Sequence, residues 1–160
     1  MKILIALDAS PHSERAVDFV ARIRWPAGSR VMVLSVMQPV THPAAGPYDA
    51  ATLEAEMIAE RCQRLEDVVS SAERRLRENG FATEGRVLVG DPRESLTQAA
   101  RSERADLLVM GSHGRTGIAK LMLGSVSSHI VTHASCSVLV VKSGSQTDGA
   151  SEAPTGGKRI

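Results

Sequence analysis

The amino-acid sequence predicts an α/β fold, an open, mostly parallel sheet of five strands with helices on both faces. Three observations carry that expectation. Short apolar runs bounded by turn residues, "KILIALD" first among them, have the length and composition of strands buried on both faces. Stretches with apolar residues at helical spacing lie between them, so strand and helix alternate, the pattern of crossover connections in a parallel sheet. The composition is 42% hydrophobic but only 2% aromatic, so the core is expected to be built from Ala, Val, Leu, Ile and Met. At 160 residues the chain has the length of one domain.

The elements follow in order. "KILIALD" opens the chain as a buried strand. In "ASPHSERAVDFVARI", Ser10 is a fitting N-cap, Pro11 suits the first helical turn, and Glu14 lies near the capping-box position. Ala16, Phe19, Val20 and Ile23 recur at helical spacing, and Trp25-Pro26 is expected to pack at the helix end. "SRVMVLSVMQP" is the second strand, closed by Pro39, with Ser35 as a small strand residue. The Pro- and Gly-rich "THPAAGPYDA" is a loop. A long helix is expected from about Ala51 to Asn79. Its inward stripe is Leu53, Met57, Ile58, Leu65, Val68, Val69, Ala72 and Leu76, and Gly80 stops it. The alternating charges of "AERRLRE" make a solvated face.

"FATEGRVLVG" is the third strand. "DPRESLTQAARSERA" is a short helix with Asp91 as cap, Pro92 in the first turn and Glu94 at capping-box distance. "DLLVMG" is the fourth strand, "SVSSHIVTHA" the last helix and "CSVLVVK" the fifth strand. Met32, Met37, Met57 and Met110 are expected as core filler. The folded domain is expected over 1–142. The polar, aperiodic remainder, 143–160, is expected to be a disordered tail.

Several function classes are disfavoured. A net charge of +1 gives no broad field for nucleic acid or anionic membrane, and so few aromatics leave no platform for stacking bases. The first apolar run is too short for a signal sequence, and no run approaches a membrane span, so a cytoplasmic protein without nucleic-acid or membrane partners is expected. Cys62 and Cys136 form no motif and are expected as buried free thiols. His129 and His133 stand four apart on a helix, but no Glu or Cys completes a ligand set there, and no metal site is expected. His12 and His42 are expected at the surface.

The chemistry concentrates in "VMGSHGRTGIAKLMLGS", 109–125. Gly111, Gly114, Gly117 and Gly124 stand close together, with Arg115 and Lys120 among them. The stretch leaves the carboxyl end of the fourth strand and enters the last helix. In an open parallel sheet, ligands bind at that edge. A helix N-terminus there offers unpaired N–H groups, and glycines let those groups approach an anion. Ser125 and Ser127 add hydroxyls, and Arg115 and Lys120 add positive charge. Together these features describe a phosphate cradle. No GxxxxGK[ST] sequence is present, and no GxGxxG follows the first strand.

The spacing Gly111-x2-Gly114-x9-Gly124-Ser125 resembles the nucleotide signature of the universal stress protein family. "ILIALDAS" resembles that family's opening strand, and 90–142 resembles its C-terminal half. The likeness covers about Met1 to Lys142 and is weakest from Gln38 to Ala51. It implies a Rossmann-like, adenine-nucleotide-binding sheet and ATP as ligand, with Mg²⁺ as a companion of the phosphates. It places Asp8 at the ribose or adenine side, with Ala6, Leu7, Ala9 and Ser10 around it. Val36 matches the position whose backbone reads the adenine edge. Gly111, His113, Gly114, Gly124, Ser125, Val126 and Ser127 match the segment that wraps ribose and phosphates; Met110 leads into it and Arg115 lies within it. Two alternatives stay open on the residues alone. Asp8 either binds sugar hydroxyls or serves in capping with Ser10. His113 either touches a phosphate or covers the pocket.

The resemblance also implies a homodimer through the fifth strand, Val138, Leu139, Val140 and Val141. An uncovered apolar edge strand is a pairing surface in any case. Three functions fit the sequence: an ATP-binding regulatory protein of the stress response with at most slow hydrolysis, an ATPase or nucleotidyl-transfer enzyme using the same pocket, or a dimeric interaction module whose pocket stays empty. No nucleophile–base pair is recognisable, so no catalytic residue is expected.

Overall fold

The computed structural model describes residues 1–39, 49–112 and 123–142, with 49–54 described in backbone only. The element order is β1 (Lys2–Leu7), α1 (Pro11–Arg22), β2 (Arg30–Met37), α2 (Asp49–Glu78), β3 (Ala82–Val89), α3 (Pro92–Ser102), β4 (Leu107–Gly111), α4 (Ser125–His133) and β5 (Ser137–Val141). All nine expected elements form. The expected tail lies outside the described residues, as do the loop residues 40–48.

The strands pair in parallel in the order β3-β2-β1-β4-β5. The central strands β1 and β4 are apolar along their length because both of their faces are covered. One face carries Ile3, Ile5, Val31, Val33 and Val109 under Ala16, Val17 and Val20 of α1 and Val69, Ala72 and Leu76 of α2. The other carries Leu4, Met32, Leu34, Leu108 and Met110 under Leu96 and Ala100 of α3 and Ile130 of α4. The aliphatic core expected from the composition is the core observed.

Capping explains where two helices start. Ser10 accepts from the Ser13 N–H at 3.2 Å, and Pro11 opens α1. Ser13, not Glu14, occupies the third helical position, so the expected capping-box glutamate falls one residue too late. Asp91 accepts from the N–H groups of Arg93 and Glu94. Its carboxyl is lowered to about 2, first by the hydrogen bond from the Arg93 guanidinium, with partial desolvation opposing.

Four expected inward residues point outward. Phe19 and Ile23 are exposed on α1, where Ser13 and Val17 are buried instead. Met57 is 61% exposed and Ile58 40%, so Met57 is no core filler. Leu53 lies among the side chains not described. Both cysteines are half-buried, not buried, and free. The Cys62 Sγ donates to Met37 Sδ at 3.2 Å. Trp25 packs at the end of α1 as expected, its Nε1 donating to the Val20 carbonyl at 2.9 Å.

Candidate functional site

The strand order reverses direction between β1 and β4. From β1 the chain moves through α1 to β2 on one side; from β4 it moves through α4 to β5 on the other. The two connections leave on opposite faces, so a crevice opens beyond the carboxyl ends of these strands. The pairing shows where it opens. The β1–β4 ladder ends at Ala6 with Met110, while β1 stays paired with β2 as far as Leu7 with Ser35.

Backbone groups freed at this edge are taken up by serines. The five buried polar residues among those described are Ser10, Ser13, Ser35, Ser112 and Ser127. Ser35 Oγ donates to the Leu7 carbonyl at 2.9 Å, and Ser127 Oγ to the Gly111 carbonyl at 3.0 Å. Ser13 Oγ donates to the Ser10 carbonyl at 2.8 Å. A hydroxyl is small enough to sit in a packed interior and still satisfy a carbonyl. Sequence reasoning took Ser35 only as a small strand residue and passed over Ser13 and Ser112; for Ser35 and Ser112 the signal available was a polar residue in or just beyond an otherwise apolar strand.

Asp8 follows directly on β1 and is half-buried. Its Oδ1 accepts from the Ser10 backbone N–H at 3.1 Å and from Ser10 Oγ at 2.6 Å. Ala9 between them has φ +60°, a conformation that folds the turn tightly enough for this bond. Both alternatives for Asp8 therefore bear on one side chain: Oδ1 braces the start of α1, and Oδ2 has no hydrogen-bond partner among the described residues.

Gly111 ends β4 against the first turn of α1. A Cβ at this position would stand 2.9 Å from the backbone carbon and oxygen of His12 and from its Cβ. Glycine is required here by close approach, and the contact makes His12 a half-buried neighbour of the crevice, not a plain surface residue.

The α4 side is built from backbone. The Ser112 N–H donates to the Val141 carbonyl at 3.0 Å, and the Gly124 N–H donates to the Ser112 carbonyl at 2.9 Å. These bonds pin Gly124 beside the end of β4. Gly124 is the N-cap of α4 and supplies no side-chain cap. The first-turn N–H groups of Ser125, Val126 and Ser127 therefore carry the donors and the partial positive charge of a helix start with no acidic residue among them.

The described candidate residues thus converge on one edge. Asp8, Ala9 and Ser10 lie at the end of β1, Gly111 at the end of β4, and Gly124 to Ser127 at the start of α4. Val36 lies one residue beyond Ser35, half-buried against the α3–α4 face. The side chains of Ala6, Leu7 and Met110 are buried in the core, which leaves only their backbone to the crevice. His113, Gly114 and Arg115 fall outside the described residues. The perturbed carboxyls lie elsewhere: besides Asp91, Glu103 is held below its usual range, first by the Lys2 ammonium and also by the Arg86 guanidinium, against desolvation. No helix among the described residues is long and apolar enough to cross a membrane.

Comparison with known proteins gives one answer. A family model described as the universal stress protein family matches residues 1–142. A universal stress protein of Thermus aquaticus is 34% identical over 141 residues, covering 88% of this chain and 97% of that protein. The solved structure of MJ0577, a universal stress protein of Methanocaldococcus jannaschii, superposes with a TM-score of 0.78 at 26% identity, covering 90% of this chain and 96% of that one. Two further solved structures, each 26% identical, contain an adenine nucleotide. A universal stress protein in complex with cAMP has a TM-score of 0.61 and covers 89% of this chain and 96% of its own. The universal stress protein of Archaeoglobus fulgidus in complex with dAMP has a TM-score of 0.56 and covers 89% and 98%.

Proposed function

The chain belongs to the universal stress protein family, and from that premise we propose that it is an ATP-binding regulatory protein of the stress response, cytoplasmic, whose nucleotide lies in the crevice between β1 and β4. Residues 1–142 form the nucleotide-binding domain on this reading, and 143–160 a disordered tail. The observation that carries it is the pairing, across one crevice, of a carboxylate with an unused oxygen and a helix start without a side-chain cap. Sugar hydroxyls donate, and a carboxylate accepts; phosphate oxygens accept, and helix-start N–H groups donate. A nucleotide presents both at the matching ends.

Each residue then has a role. Asp8 Oδ2 accepts from the ribose hydroxyls, while Oδ1 stays with Ser10 and keeps the carboxylate oriented. The backbone around Val36 meets the adenine edge. The amides of Ser125, Val126 and Ser127 donate to the phosphates, and Gly124 lets them come close. Gly111, held against α1, keeps the floor of the crevice open. His113, Gly114 and Arg115 complete the phosphate side. Mg²⁺ accompanies the phosphates on this reading.

Binding fits these residues better than turnover. The hydroxyls of Ser13, Ser35 and Ser127 donate to backbone carbonyls, and that of Ser10 donates to Asp8, which fixes them as structure and not as nucleophiles. Slow hydrolysis by an ordinary water is the most this arrangement supplies.

Calorimetric titration of ATP into nucleotide-freed protein tests the proposal, with a folded Gly114→Val, Gly124→Val double variant as the control. Saturable binding that the double variant loses is expected. A nucleotide-free wild type that takes up no ATP contradicts it.

A further inference from the structure

His12 stands beside the crevice and has no role in nucleotide binding so far. It is the second residue of α1 and is half-buried. A Cβ on Gly111 would stand 2.9 Å from the His12 Cβ. The His12 side chain therefore leaves the backbone directly beside the carboxyl end of β4. The other residues of this first turn bring no free donor. Pro11 has none, the Ser13 hydroxyl donates to the Ser10 carbonyl, and a Glu14 carboxylate only accepts.

The order of the strands says which part of a nucleotide comes to that place. β2, β1 and β4 are neighbours in that order. The proposed adenine contact, Val36, lies near the end of β2, and the proposed ribose contact, Asp8, follows β1. Gly111 and the start of α4 take the phosphates. The ligand thus runs along the carboxyl edge from β2 to β4, with its phosphates last. At the end of β4 two helices meet this edge from opposite faces. α1 packs on the face of Val17 and Val109, and α4 on the face of Ile130 and Met110. The amides of Ser125, Val126 and Ser127 approach from the α4 side. His12 stands on the α1 side.

From this placement we propose that His12 is a specificity-determining residue, which donates a hydrogen bond from one ring nitrogen to a phosphate oxygen of the bound nucleotide. The inference rests on the nucleotide reading of the crevice and adds a preference to it: phosphorylated adenine nucleotides are selected over adenosine. An imidazole has two ring nitrogens, so one anchors within the protein while the other meets the ligand. Hydrogen bonds to an anionic phosphate are stronger than neutral ones, and donors on both walls grip it from two sides. Gly111 then has a second purpose. Its missing Cβ lets α1 come close enough to β4 to present His12 at the phosphate end.

The test is titration of ATP and, separately, of adenosine into the nucleotide-freed full chain. Wild type, His12→Ala and His12→Gln are compared, each verified as folded by circular dichroism. His12→Ala is expected to weaken ATP binding about tenfold, the effect of losing one hydrogen bond to a charged group. Adenosine binding should not change. His12→Gln keeps a donor and should recover part of the ATP affinity. ATP should also shift the His12 ring nitrogen resonances, and adenosine should leave them in place. Equal ATP affinity in wild type and His12→Ala overturns the proposal. So does an equal loss for adenosine, which would make His12 a structural residue. A wild type that binds no ATP overturns the crevice reading itself; ATP binding that ignores His12 overturns this inference alone.

Discussion

Arg104 occupies a position where a helix end favours glycine. It follows the Glu103 cap of α3 with φ +51°, and its N–H donates to the Arg101 carbonyl while Ala105 N–H donates to that of Ala100. This six-residue closure needs a left-handed residue just past the cap. A side chain with a Cβ is strained there by about 1–2 kcal/mol. Arg104→Gly should therefore stabilise the protein, by about 1 kcal/mol after the added freedom of the unfolded chain is subtracted. Urea denaturation measures it; an unchanged or lowered midpoint would show that the Arg104 side chain supports the fold in some other way. The same backbone region recurs at Ala9, but there it bends Ser10 back onto Asp8 at the mouth of the crevice. One strained residue closes a helix, and the other shapes the candidate site.

At the scale of elements, β3 and α2 meet through a missing side chain. A Cβ on Gly85 would lie 2.4 Å from Val69 Cγ1 and 2.6 Å from the Glu73 carboxylate. Gly85→Ala must push the helix off the strand, at a cost of about 1–3 kcal/mol for overpacking. Thermal unfolding of that variant should show a lowered midpoint; an unshifted one would mean that Glu73 and Val69 move aside freely. How much of the fold was legible in the sequence follows from the same elements. Apolar runs marked β1, β2, β4 and β5, and Ser10 and Asp91 marked two helix starts, because burial and capping leave local signatures; β3, with Glu84, Gly85 and Arg86 inside it, carries no such run. Ile58 was not legible. It lies on the stripe of Leu65, Val69, Ala72 and Leu76, yet it is 40% exposed. At about 1.5 Å per residue a 30-residue helix outruns strands of eight residues, so its first turns extend past the sheet. Periodicity names a face and not what lies beneath it. Gly111 and Gly124 of the candidate site stood out in the sequence by type and spacing, and Asp8 by a family resemblance. That Ser35 and Ser127 donate to the Leu7 and Gly111 carbonyls was not legible, because only the strand register shows which carbonyls need a donor.

At the scale of the whole molecule, the sheet has two edges of different character. The β3 edge carries Glu84 and Arg86, ion-paired with each other, and such charges discourage a further strand. The β5 edge carries Val138, Leu139, Val140 and Val141, all only half-buried. We propose that a second copy of the chain covers this edge. Leu139→Lys should then convert a dimer into monomers by light scattering, and an unchanged mass would place the contact elsewhere. The proposed nucleotide site lies elsewhere, at the carboxyl edge of the central strands, which pairing at β5 need not disturb. The most direct measurement of that claim is a map of backbone amide resonances as ATP is added to nucleotide-freed protein. Asp8, Ala9, Val36, Ser125, Val126 and Ser127 should shift most, while Lys2, Arg30 and Ala82 at the amino edge of the same strands should stay in place. Shifts centred on the amino edge, or none at saturating ATP, would contradict the assignment of the crevice.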